Sequence, residues 1–153
     1  MPKREPDTRH SKLSPSNYCF GCGPDNPDGM KLRFLFDEEA QRVTCHVRSL
    51  PRRFTGPPRH CHGGIIATLL DEVMAKLNKL HGVTAVTSQI TVNYLRPVPL
   101  HQPLYMQAHE VKVEGRRRLR AAELHDHKGE ILARGQGIFI TIDPEKVFAR
   151  ATE

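Results

Sequence analysis

A chain of 153 residues is long enough for one domain with a substantial core. At 38% hydrophobic, it holds no apolar run of roughly 18 residues that would cross a membrane as a helix. Its 23 Lys and Arg against 17 Asp and Glu leave a formal charge of +6, which suggests an anionic partner: nucleic acid, a phosphorylated cofactor, or simply water around a basic surface.

Residues 1–17 are polar, charged and broken by prolines, and they carry no apolar leader, so a flexible tail and a cytoplasmic protein are expected. Cys19, Cys22, Cys45 and Cys61 are then read as thiols rather than a disulfide framework. The stretch from Tyr18 to Gly29, dense in Gly, Pro, Asn and Asp, predicts turns. Met30 to Phe36 alternates, with Met30, Leu32, Phe34 and Phe36 on one face and Lys31 and Arg33 opposite, the pattern of a half-buried strand. Gln41 to Leu50 supplies a second strand through Val43, Cys45 and Val47, and proline-rich Pro51 to Arg59 predicts a loop.

One strong helix is predicted, from Gly63 to His81. Ile66, Leu70, Val73, Leu77 and Leu80 form its buried stripe, widened by Leu69 and Met74, and Gly82 is placed to close it in the left-handed region. Thr84 to Leu95 alternates again, with Val86, Ile90, Val92 and Tyr94 on one face and Thr87, Gln89, Thr91 and Asn93 on the other, until Pro97 and Pro99 stop it. Leu104–Val113, Arg118–His127 and Glu130–Ile142 complete a β-β-α-β-β-β-β order. Hairpin-length turns predict an antiparallel meander of the last four strands, so the fold expected is α+β, a sheet curved around one helix. The domain is bounded at 18–145, with 146–153 as a C-terminal tail.

The helix start carries the chemistry. Two glycines in a first turn cost roughly 1 kcal/mol each relative to alanine. They leave bare backbone N–H groups at a helix N-terminus, a ready site for negative charge. Asp71 lies two helical turns beyond Gly64 on nearly the same side, with Ala67 and Ala75 as small neighbours, and is a candidate base. The plain alternative makes Asp71 a solvated acid beside Glu72, but then the glycines and alanines serve no purpose. Glu72 is the reserve candidate. His62, just before the helix, suits shaping the turn more than moving a proton.

His62-Gly63-Gly64 with Asp71 nine residues after the histidine resembles the hotdog-fold acyl-CoA thioesterases, in particular the group named after the phenylacetic-acid-degradation thioesterase. Cys19-Phe20-Gly21-Cys22-Gly23, Asn26-Pro27-Asp28-Gly29-Met30 and Asn93-Tyr94-Leu95-Arg96-Pro97 are similar to segments of that group, so the likeness spans roughly residues 18–142. It implies a hotdog fold, with six antiparallel strands around the helix, and a homodimer or dimer of dimers whose active sites lie between subunits. It also implies hydrolysis of an acyl-CoA without a further cofactor. The Gly63 N–H would polarise the thioester carbonyl, with Gly64 and His62 shaping that turn. Asp71 of the neighbouring subunit would act as general base or nucleophile, and Thr87 would assist. The chain departs from the pattern at Gly56, where relatives often place Asn or Gln; His60 is the candidate replacement. A non-catalytic acyl-CoA- or lipid-binding hotdog protein is the alternative.

Arg116, Arg117 and Arg118, with Arg96, are the candidate grip on the phosphates of coenzyme A, against a solvated hairpin strand as the plain reading. Arg116, Arg118 and Arg120 are expected on one face, with Leu119 and Ala121 on the other. Nucleic acid is not expected as a partner, because none of the three tyrosines and six phenylalanines interleaves with this run. No metal is expected either. Cys19 and Cys22 form a single C-x-x-C, and His60-x-His62 is the only candidate second pair.

Overall fold

The computed structural model describes residues 3–4 and 16–148. Seven strands form one antiparallel sheet in the order β1-β2-β3-β5-β6-β7-β4. They are β1 (Lys3–Arg4), β2 (Leu35–Asp37), β3 (Arg42–Val47), β4 (Ala85–Tyr94), β5 (Leu104–Glu114), β6 (Arg117–Asp126) and β7 (Ile131–Thr141). Helix α1 (Gly63–Ala75), continued by α2 (Leu77–His81), packs against β3 through β7, so the sheet wraps around it as expected. Ile66, Leu69, Leu70, Val73, Met74 and Leu77 are all buried there, and Gly82 closes the helix at φ 64°, ψ 36°. Among the described residues no helix is long and apolar enough to cross a membrane.

Both expected tails are partly structured. Lys3–Arg4 pairs with Leu35–Phe36, and helix α3 (Pro144–Phe148) begins inside the expected domain and runs on into the expected C-terminal tail. What else was assigned to the tails lies largely outside the described residues. The first predicted strand also shortens. Leu32 and Phe34 are buried and Lys31 exposed, as the alternation requires, but only β2 joins the sheet. The Met30 and Leu32 N–H groups instead reach the Phe20 and Gly21 carbonyls, tying this stretch to the turns before it.

The last four strands are not a simple meander. β5, β6 and β7 follow one another, but β4 lies beyond β7 and β5 pairs with β3. The connection carrying Pro97 and Pro99 is too long and stiff for a hairpin, and it crosses beside the start of α1. There the Cys61 N–H donates to Val98 O at 2.8 Å and His60 bridges Pro99. β4 is thereby left as the free edge of the sheet.

The predicted helix also divides, at Lys76. Arg120, wholly buried on β6, reaches into the helix: its Nη1 donates to Met74 O at 3.0 Å and to Asn78 Oδ1 at 2.8 Å. With the Met74 carbonyl engaged, the turn tightens, and the Lys79 N–H bonds back to Lys76 O, three residues away. Arg120 Nε and Arg118 Nη1 share the carboxylate of Glu110 at 3.1 and 2.5 Å, and the Arg120 guanidinium lies 4.6 Å above the Phe139 ring. Arg120 therefore faces the core, not solvent. A cross-strand partner that the sequence of β6 alone does not contain reverses the expected direction of its basic face. Burial holds the Arg120 pKa below its ordinary value, with Glu110 opposing.

Three substitutions test these contacts through stability. Glu110→Ala leaves two neighbouring guanidiniums, one fully buried, without their counter-charge, and should lower stability by about 3–5 kcal/mol in urea denaturation. Lys112→Ala, which removes an ion pair with more than half of each side chain exposed, should change it by no more than about 0.5 kcal/mol. A Cβ at Gly56 would stand 2.6 Å from the Cα of His62, with backbone hydrogen bonds holding both strands of that loop. This explains the departure at position 56, where there is no room for an amide side chain. Gly56→Ala should cost about 1–3 kcal/mol by the same measurement.

Candidate active site

The first turn of α1 is held by three contacts. His62 caps it in an extended conformation, φ −63°, ψ 138°, and its Nδ1 accepts the Gly64 N–H at 2.9 Å. The Ile65 and Ile66 N–H groups go to the His62 carbonyl. A helix start has four N–H groups without intrahelical acceptors. The His62 N–H goes to Phe54 O, so with those of Gly64 and Ile65 also taken the Gly63 N–H is the one of the four left without an acceptor among the described residues. His62 thus spends one ring nitrogen on shaping the turn.

The third contact comes from Tyr94, at the end of β4. Its hydroxyl donates to Gly63 O at 2.8 Å, and its ring lies 3.6 Å from where a Gly63 Cβ would be. Gly63 and Tyr94 line a cavity of about 340 Å³ together with Ile66, Arg96 and Val98, and His60 also borders it. From sequence, Asn93–Pro97 stands out as a family-like segment with Arg96 as its candidate functional residue, and Tyr94 only as one member of an alternating face. A tyrosine finishing a strand that points at a helix N-terminus was the signal for a working contact.

Asp71 lies farther along. Its Oδ1 accepts a hydrogen bond from Thr87 Oγ1 at 2.6 Å. Simple alternation puts Thr87 on the face opposite Ile90 and Val92, away from the helix. The register shows why it is not there: Thr87 pairs with Phe139 and Gln89 with Ile138, so Ser88 is an extra residue. This bulge changes the phase of the strand. Thr87 before it, and Ile90, Val92 and Tyr94 after it, consequently all face α1. Two glycines of β7 let the helix come close: a Cβ at Gly137 would fall 2.5 Å from the Phe139 ring and 3.2 Å from Met74 Cε, and one at Gly135 3.3 Å from Leu70.

Gly63 and Asp71 do not meet within one chain. Eight residues of α-helix separate them by about 12 Å. Glu72, the reserve base, turns about 100° away from Asp71 around the helix. It lies against Cys19 and Cys22, and a Gly21 Cβ would be 2.2 Å from its Cδ. Burial raises the Glu72 pKa, against the attraction of Lys76. Burial likewise pushes the Cys22 thiol up to about 12, Cys45 to about 12 and Cys61 to about 11, so all three are protonated near neutrality. All four cysteines are free.

The structure does not gather the candidate arginines. Arg96 borders the cavity and pairs with Glu130 at 3.0 Å, with both side chains exposed. Arg116 donates to Thr141 O at 3.0 Å and Arg117 sits at the β5–β6 turn, while Arg118 is engaged by Glu110. Arg96 is tied by its N–H to Leu132 and Arg116 to Thr141, nine residues apart on β7, which is about 30 Å.

Comparison with known proteins agrees with this architecture. Residues 59–133 match the family model of the thioesterase superfamily. The acyl-coenzyme A thioesterase THEM4 of Bos taurus is 28% identical over 122 residues, covering 78% of this chain and 50% of that protein, so the chain spans about half the length of such relatives. The crystal structure of a thioesterase superfamily protein superposes with a TM-score of 0.72 at 30% identity, covering 77% of this chain and 57% of the other. The E. coli PaaI protein of the phenylacetic acid degradation operon superposes with a TM-score of 0.66 at 18% identity, covering 74% and 81%. With its histidine-diglycine helix start wrapped in this sheet, the chain is similar to the thioesterase superfamily over residues 59–133 and has the hotdog fold.

Proposed function

We propose that this protein hydrolyses an acyl-CoA thioester to a free acid and coenzyme A, in a site shared by two subunits. The observation that carries the reading is the pair of Asp71 on α1 with Thr87 on β4, and an open Gly63 N–H some 12 Å from it on a cavity. Neither half is a thioesterase alone, because hydrolysis needs a base for water and a donor for the developing oxyanion together.

The free edge strand supplies a way to join the halves. β4 is ten residues long, and Tyr94 and Leu95 at its end are about half exposed, a surface that pairs readily with another strand. If two copies pair antiparallel through β4 about a two-fold centred on Thr91, with Ser88 again the extra residue, Tyr94 of one comes opposite Thr87 of the other. Tyr94 touches Gly63 and Thr87 touches Asp71, so the same operation sets the N–H of one chain beside the carboxylate of its partner. A symmetric dimer then has two complete sites.

In that site the Gly63 N–H donates to the carbonyl oxygen as negative charge grows on it, and Asp71 takes a proton from water as it adds to the carbonyl carbon. The carbonyl re-forms as the carbon–sulfur bond breaks, and coenzyme A leaves as the thiol, carrying the proton that Asp71 took from water. Attack by Asp71 itself, through an anhydride that water then opens, uses the same atoms. The Thr87 hydroxyl holds the carboxylate in one rotamer. Of the candidate arginines, Arg96, Arg116 and Arg117 are open to solvent, and Arg96 of one subunit with Arg116 and Arg117 of the other would meet the nucleotide phosphates. The Arg96–Glu130 pair is worth little at such exposure and yields easily.

Three outcomes are expected with a panel of acyl-CoAs. Asp71→Asn should lower kcat by about 10²–10⁴-fold with KM little changed; full activity would remove Asp71 from the mechanism. Gly63→Pro removes the donor without breaking the helix, since proline is tolerated at the first helical position and His62 is already extended, and should lower kcat by about 10²–10³-fold. Co-expressing the two variants should restore roughly a quarter of wild-type activity, because half of the dimers then carry one intact site. Activity no higher than that of the parents would rule out a shared site. Tight calorimetric binding of acyl-CoA by the wild type without thiol release would favour the non-catalytic binding protein.

A further inference from the structure

The loop that precedes the sheet presents two thiols to the helix. The Cys19 and Cys22 sulfurs and a carboxylate oxygen of Glu72 all lie within 4.8 Å of one another. From this geometry we infer that Cys19, Cys22 and Glu72 form a zinc site that fastens the N-terminal loop to α1. The second ligand set is thus a helix carboxylate, not the His60-x-His62 pair considered from the sequence.

The distances suit the ion. Zinc bound tetrahedrally at about 2.3 Å from sulfur and about 2.1 Å from oxygen sets a sulfur–oxygen edge of about 3.6 Å. The Cys19 Sγ to Glu72 Oε1 distance is 3.8 Å. Water would complete the fourth position. Charge suits it too: once the ion displaces the thiol protons, two thiolates and a carboxylate carry three negative charges, balanced by the dication and the Lys76 ammonium, which lies close enough to act on Cys22.

The turn is built to hold this arrangement. The Gly23 N–H donates to Cys19 O at 2.8 Å, closing the C-x-x-C turn, and the Cys19 N–H donates to Asn17 Oδ1 at 3.1 Å. Asn17 is held in turn by Asp25 at 2.6 Å. The Phe20 and Gly21 carbonyls between the two cysteines accept the Met30 and Leu32 N–H groups. A Cβ at Gly23 would fall 2.5 Å from Cys19 N, and one at Gly21 would strike the Glu72 side chain. Glycine at both places is what lets the two thiols close over the carboxylate. Glu72 is the residue after Asp71, so an ion here also fixes the rotation of α1 at the proposed base.

The test reads metal, not turnover, and is independent of the thioesterase reading. Full-length protein, free of any histidine tag and grown with added zinc, should carry about one zinc per chain by mass spectrometry of the metal. The stripped protein should bind one cobalt(II) with a thiolate-to-metal charge-transfer band, and zinc should displace it. Cys19→Ser and Cys22→Ser should abolish the band, and Glu72→Gln should weaken cobalt binding at least tenfold. Where a serine variant fails to fold, the wild type alone decides: stripping the metal should lower its melting temperature by several degrees, and zinc should restore it. No stoichiometric zinc together with no cobalt band overturns the proposal. So does a band that survives in both serine variants, or a purified wild type two hydrogens lighter with Cys19 and Cys22 joined as a disulfide.

Discussion

The buried guanidinium of Arg120 determines where the helix lies on the sheet. It joins β5 through Glu110, α1 through the Met74 carbonyl and α2 through Asn78. Asn78 then passes the constraint on, donating from Nδ2 to Ala85 O at 2.8 Å at the first residue of β4. Two residues later comes Thr87, hydrogen-bonded to Asp71. A chain of polar contacts therefore runs from the middle of the sheet to the carboxylate, crossing an otherwise apolar core. Such a cluster adds little net stability over well-packed hydrophobic residues, because desolvating the ions offsets their attraction. Its contribution here is position: apolar side chains would let the helix slide or rotate, while a forked donor with fixed acceptors does not.

Small residues complete what the arginine begins. Gly135 and Gly137 lower the floor of the sheet under Leu70 and Met74, and the Ser88 bulge brings Thr87 round to the same side. The far end of the helix is set separately, by the His62 cap and the Tyr94 hydroxyl. Both ends of α1 are thus registered against the same strand, one through Thr87 and the other through Tyr94. Chemistry that needs sub-ångström placement is better built on strand-and-helix registration of this kind than on loops.

What the sequence disclosed and what it hid follow one rule. Features decided within a few residues were legible: the apolar stripe of α1, the Gly82 cap, the alternation of β3, and the glycine-opened helix start. Features decided by a distant partner were not. Arg120 reads as a solvated charge until Glu110 is known to lie across from it. A bulge at Ser88 leaves no mark in the alternation and reverses the face of every residue before it. The strand order depended on how the prolines of 97–99 are threaded past Cys61. The C-x-x-C turn showed its two sulfurs plainly, but the carboxylate facing them is fifty residues away and hidden among helix residues beside a more prominent acid.

The placement of the proposed base also explains why a single copy would be insufficient. A helix offers its open N–H groups only at one end, and a carboxylate placed beside them would form a cap and lose its basicity. Keeping Asp71 two turns inside the helix preserves both groups but puts them about 12 Å apart, too far to act on one carbonyl. Antiparallel pairing resolves this, because each helix then lends its start to the middle of the other. The same pairing covers β4, whose unpaired backbone would otherwise invite uncontrolled association. Under the proposed reaction, protecting the sheet edge and completing the catalytic site are met by a single contact, and selection on either would maintain the other.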